Sequence, residues 1–172
     1  MQNIKRNGFS MIELVFVIVI LGVLAAVAVP RFVTTRTDAQ VAMFRSDIAS
    51  TLKAIPARVF AENLDPTASA PTGFSNWGEW MIDTGGLDRG RWQANDNELQ
   101  VIAQTDSSGN KKPCTGTYIQ LQTTNGDLIF DPSKIAAPAD GTGKVLCDNL
   151  KNSYPSNSNR IIPLATTGAV KF

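Results

Sequence analysis

The sequence contains no histidine. That absence excludes Ser–His–Asp and Cys–His nucleophilic sites and every His-ligated metal centre. The 2 cysteines are too few for a four-cysteine zinc site but enough for one disulfide. An excess of either charge is also missing: 16 Lys and Arg stand against 15 Asp and Glu, a net charge of +1. A chain that holds nucleic acid by neutralising phosphates would be far more basic, so no nucleic-acid partner is expected. What is present is ordinary for a folded protein, at 43% hydrophobic and 18% charged. A length of 172 residues makes one domain the default. No internal repeat is visible, and no base–nucleophile pairing can be argued from the spacing of Ser, Thr and Asp. The expectation is a protein that is not an enzyme and carries no cofactor.

The hydrophobic residues are unevenly spread. Phe9 to Val29 reads FSMIELVFVIVILGVLAAVAV, with Glu13 its single charge, and from Leu14 onward no side chain is polar. About 21 residues at about 1.5 Å each make a helix of roughly 30 Å, the thickness of a bilayer core. Lys5 and Arg6 precede the run and place its start on the cytoplasmic side, which puts everything after Val29 across the membrane. A cleaved secretory signal is the competing reading, with Ala25-Ala26-Val27-Ala28 as its small-residue cleavage region. Glu13 inside the run and the helical pattern beyond Pro30 argue against it. A carboxylate at mid-bilayer costs about 2.5–3.5 kcal/mol, less near the interface, so Glu13 needs hydration at the headgroups or a partner. No Lys or Arg lies within the run, which leaves a terminus, another molecule or water.

Lys5-Arg6-Asn7-Gly8-Phe9-Ser10-Met11-Ile12-Glu13-Leu14 resembles the processing site of the type IV prepilins, the family of pilins, type II secretion pseudopilins and competence pilins. The resemblance implies a leader of residues 1–8, cleavage between Gly8 and Phe9 by a membrane prepilin peptidase, and N-methylation of Phe9. Counted from Phe9, Glu13 is the fifth residue, as the family pattern requires. The new amine on Phe9 is the one cation able to meet Glu13 in apolar surroundings, either in its own helix or in a neighbouring copy. The family favours the neighbour, which makes Phe9 and Glu13 assembly contacts. Gly22 and Pro30 match the family's mid-run glycine and terminal proline. They weaken the helix, because glycine lowers propensity and Pro30 leaves the carbonyl of Ala26 without its donor. Local melting between them in a filament and a static kink at Pro30 both remain open. The implied partners are other copies of the chain or related pilins, the prepilin peptidase, an inner-membrane assembly platform and the lipid bilayer.

Beyond Pro30 the pattern becomes one-sided. Val41, Phe44, Ile48, Leu52, Ile55 and Val59 recur at steps of 3 and 4, the stripe of an amphipathic helix. One helix is therefore expected from about Phe9 to about Asn63, some 55 residues and roughly 80 Å long. Its divisions are an assembly and membrane segment at 9–29 and an amphipathic continuation at 30–64, with Pro56 marking a bend or the last turns. Residues 65–172 form the head. The stretch from Asp65 to Gly90, rich in Pro, Gly, Ser and Thr, reads as a long loop anchored by Trp77 and Trp80. Glu98–Gln104, Thr117–Thr124 and Asp127–Asp131 read as strands, with Asn125-Gly126 a hairpin turn and Tyr118, Gln120 and Gln122 on the face opposite Ile119 and Leu121. The expected fold is α+β and type IV pilin-like: a long N-terminal helix, transmembrane in its first half, packed on a small antiparallel sheet. Ile161, Ile162, Leu164 and Val170 add a packed tail, a candidate further strand.

In an exported head Cys114 and Cys147 are expected to be oxidised, and many pilins close such a C-terminal loop with a disulfide. Free thiols are the alternative. Asp131, Asp140 and Asp148 lie in or beside the disulfide loop, and type II secretion major pseudopilins can hold calcium near their C-terminus, but Asp140-Gly141-Thr142-Gly143 lacks EF-hand spacing and reads as a surface turn, so no metal is expected. Lys111 and Lys112 read as solvated residues of a turn. The chain is expected to be a structural filament subunit, first a single-pass inner-membrane protein with a periplasmic head and then part of a periplasmic or cell-surface filament. The rivals are a pseudopilin of type II secretion and an uncleaved, membrane-anchored periplasmic binding or sensing domain.

Overall fold

A computed structural model describes residues 10–165, with backbone alone at 27–35. The chain divides into two compact units, Met1–Asp38 and Ala39–Phe172. Helix α1 runs over Met11–Ala61, 51 residues. Its first turn is capped from within: the Ser10 N–H donates to Glu13 Oε2 at 2.9 Å, and the Ser10 carbonyl accepts from the N–H of Glu13 and Leu14 at 3.0 and 3.2 Å. Its end is set by Asn63, which takes a left-handed φ of 49°, and by the Leu64 N–H returning to the Val59 carbonyl at 3.0 Å. The helix passes through Pro56 without interruption.

In the second unit, Val41, Phe44, Ile48, Ile55 and Val59 of α1 are buried in one core with the sheet, and Leu52 packs at its margin. Thr51 is buried on the same stripe, and its hydroxyl has no hydrogen-bond partner among the described residues. It is fixed by close approach, since a Cβ on Gly85 would lie 2.5 Å from Thr51 Oγ1. Thr51→Val keeps the shape and removes an unsatisfied hydroxyl, so it is expected to leave stability unchanged or raise it by up to about 1 kcal/mol in urea denaturation.

The stretch read as an anchored loop between 65 and 90 contains a second helix, α2 (Trp77–Gly85). Asn76 Oδ1 caps it by accepting from the Glu79 N–H, and Gly86 ends it in the left-handed conformation. Trp77, Trp80 and Met81 go into the core, with Trp77 set edge-on against Trp80 at 5.2 Å. Nine residues cannot hold a helix alone, so packing completes what the caps begin.

Among the described residues the sheet has 6 strands rather than the 3 that alternation predicts. They are β1 (Trp92–Asn95), β2 (Glu98–Thr105), β3 (Lys111–Pro113), β4 (Ile119–Gln122), β5 (Asp127–Phe130) and β6 (Arg160–Pro163). All pairings are antiparallel, in the order β1-β2-β4-β5-β6, with β3 also on β2. The expected further strand in the tail is β6; Leu164 beside it is buried, and Val170 lies outside the described residues. Tyr118 does not face outward with Gln120 and Gln122. It precedes β4, is fully buried, and accepts the Val101 N–H on its Oη. Burial pushes its phenol well above the usual range. The architecture is α+β, a helix packed on a small antiparallel sheet.

Candidate functional site

The two sequence features that carry chemistry fall on different units. In the first, Ile12, Leu14, Phe16, Ile18, Leu21 and Leu24 of α1 are all exposed, and Met11 and Ile12 are 85% and 76% exposed. Side chains at these positions point to every side of a helix, so the apolar surface has no polar back. A water-soluble monomer does not leave so much continuous apolar surface uncovered. Among the described residues no helix is long and apolar enough to cross a membrane. Phe9 and the side chains of 27–29 fall outside what is described, and the membrane segment 9–29 belongs with the proposals below.

Glu13 sits in the first turn of α1, its carboxylate on the Ser10 N–H. This is one arm of a capping box, a role that the Ser10-x-x-Glu13 spacing signals and that a reading of Glu13 as a charge alone omits. The carboxylate also lies at the helix N-terminus, where the macrodipole favours a negative charge. Gly8 and Phe9 lie outside the described residues. Gly22 and Pro30 both lie within α1, and no described atom is within 4 Å of a Cβ placed on Gly22. No contact in the described part of the chain therefore demands a glycine there.

In the second unit Cys114 and Cys147 are joined, with Cα atoms 5.7 Å apart. Cys147 lies on α3 (Lys144–Asn152), a helix inside what reads as loop, and Leu146 and Leu150 bury beside it. Lys111 and Lys112 belong to β3 rather than to a turn. Lys112 Nζ is 3.3 Å from Asp140, whose carboxyl the Thr142 N–H and hydroxyl and Lys112 hold below the usual range. Asp140 is the turn residue that its sequence signals. Asp131 caps a short 3-10 turn (Pro132–Lys134) through the Ser133 N–H, and Asp148 pairs with Lys144 at 2.6 Å. Among the described residues no three His, Cys, Asp or Glu are grouped to hold a metal ion.

Residues 3–29 match the prokaryotic N-terminal methylation motif. The chain is also 39% identical over 72 residues to type II secretion system core protein G of Pseudomonas aeruginosa, an alignment that covers 42% of this chain and 48% of that protein. The chain thus spans about half the length of the curated relative it matches. No solved structure matches. On a helix-and-sheet fold, these matches give the chain an N-terminal segment similar to those of type IV pilins and pseudopilins.

Proposed function

We propose that this chain is a structural subunit of a type IV pilin-like filament. The carrying observation is the run of apolar side chains from Met11 to Leu24 of α1, exposed behind a prepilin-type motif. Residues 1–8 are a leader removed between Gly8 and Phe9 by a prepilin peptidase, and Phe9 is N-methylated. Residues 9–29 hold the subunit in the inner membrane as a single pass, with 65–172 in the periplasm. At an assembly platform the same segment leaves lipid for other copies or related pilins, and the product is a periplasmic or surface filament. The chain itself catalyses nothing. Transfer from lipid to sister helices exchanges one apolar environment for another, so polar contacts supply the direction and register. Glu13 meeting the Phe9 amine of a neighbour is such a contact. The open space beside Gly22 and the missing donor at Pro30 are the places where α1 yields in a packed filament.

The similarity to core protein G favours a second reading, a pseudopilin whose filament stays in the periplasm.

Glu13→Gln separates charge from structure. Glutamine serves at the same capping-box position, so the helix start survives. Without the charge, assembled filaments measured by immunoblot and electron microscopy are expected to fall about ten-fold or more. Assembly at the normal rate would remove the role given to Glu13.

A further inference from the structure

The second unit carries charge of opposite sign in two separate places. A groove of about 620 Å³ lies between α1 and the segment leading into β6, and its lining includes Arg45, Lys53, Tyr154 and Arg160. Among the described residues no carboxylate lines it. Arg45 stacks over the Tyr154 ring at 5.2 Å, which fixes one wall, and the three cations are exposed. Amide and hydroxyl groups of Asn157, Ser158 and Asn159 complete a lining suited to carboxylates.

The carboxylates lie at the other end of the sheet. Arg160 is paired with Phe130 at one end of β5 and β6, and Asp127 with Pro163 at the other. Beside Asp127, a Cβ on Gly126 would lie 3.0 Å from Pro66 Cγ, which brings Asp65 to the same end. Asp96 lies towards the same end, where with Ala68 and Thr123 it lines a separate hollow of about 230 Å³ that no described lysine or arginine lines. Asp65 and Asp96 are exposed and Asp127 is half-buried.

We infer that the groove of one copy receives the Asp65–Asp96–Asp127 end of a second copy. The contact is heterologous, head to tail, so it repeats along an open array instead of closing as a symmetric dimer. Charge complementarity selects this occupant, because the same unit presents both halves. The inference rests on the filament reading and adds a second, polar contact to the one made by the apolar helix.

Two variants of the full chain test it. The groove variant combines Lys53→Glu and Arg160→Glu. The end variant combines Asp65→Asn, Asp96→Asn and Asp127→Lys; asparagine keeps the side-chain acceptor at 65 and suits the left-handed φ of 52° at 96. Multimers are trapped in cells by a zero-length carbodiimide, which couples Lys53 to a touching carboxylate. The parent is expected to give intermolecular peptides joining Lys53 to residue 65, 96 or 127. Each variant alone is expected to give about ten-fold fewer multimers by native electrophoresis and electron microscopy, readouts that need neither Lys53 nor the three carboxylates as cross-linking groups, since like charges then face each other. Co-expression of the two is expected to restore them, because each supplies the charge that the other lacks. Near-ultraviolet circular dichroism checks that both heads fold. A folded variant that multimerises like the parent, or a mixture that stays unassembled, overturns the contact. Parent filaments without Lys53 cross-links also overturn it while leaving the filament reading in place; a parent that forms no multimers at all overturns both.

Discussion

Replacing Trp92 with alanine is expected to destabilise the head by about 3–5 kcal/mol, read as a lower midpoint in urea denaturation. Trp92 opens β1 and is 1% exposed. Its ring stands edge-on to Phe44 of α1, with centroids 5.8 Å apart, and its Nε1 donates to Asp47 Oδ2 at 3.0 Å. One side chain therefore fastens the helix to the sheet by an apolar and a polar contact together. Removing the indole opens a cavity and takes a donor from Asp47, whose remaining cation, Arg91, is 3.7 Å away. Trp92→Phe separates the two effects. It retains a ring and loses the donated hydrogen bond, so a smaller loss of about 1–3 kcal/mol is expected. Equal losses in the two variants would show that the hydrogen bond, and not the packed indole, fastens the helix.

Removing the disulfide, as Cys114→Ala with Cys147→Ala, is expected to lower stability by about 3–4 kcal/mol on the chain-entropy account. The sequence separation of 33 gives a long closed loop. Both sulfurs lie in the fully buried core, so the substitution also removes packing. The loss should be unevenly felt. Helix α3 has 9 residues and an N-cap glycine with no side-chain cap, and it depends on Cys147, Leu146 and Leu150 for its place. Amide hydrogen exchange should therefore rise first in α3, ahead of β4 and β5. Uniform exchange across the head would contradict that order. An oxidising compartment is also where such a bond persists, which agrees with an exported head.

These two anchors differ in how far the sequence announces them. The stripe Val41-Phe44-Ile48-Leu52-Ile55-Val59 is legible because one face of a long helix is buried, so periodicity and packing agree. The β4–β5 hairpin is legible because Asn125-Gly126 supplies its turn, with Gly126 at φ 75°. Strand β1 is short and its alternation is weak, so Trp92 gives no pattern; its importance comes from Asp47, distant in sequence. Helix α2 has readable caps in Asn76, Glu79 and Gly86, but the surrounding Gly, Pro, Ser and Thr mask them. Helix α3 lacks even a capping side chain and exists through its core contacts. At the candidate site, the motif makes Glu13 the fifth residue counted from Phe9, and the Gly8-Phe9 junction itself lies outside the described residues. The capping box is legible too, through Ser10. The charge separation across the head is not, because it is created by folding Arg45, Lys53 and Arg160 onto one groove.

The most direct test is the N-terminus of the chain after it has assembled. Mass spectrometry of filaments purified from the native cell should find polypeptides that begin at Phe9, with the methyl group on its amine. A soluble, solitary product beginning beyond Ala28, or membrane-bound protein that still begins at Met1, would contradict the account.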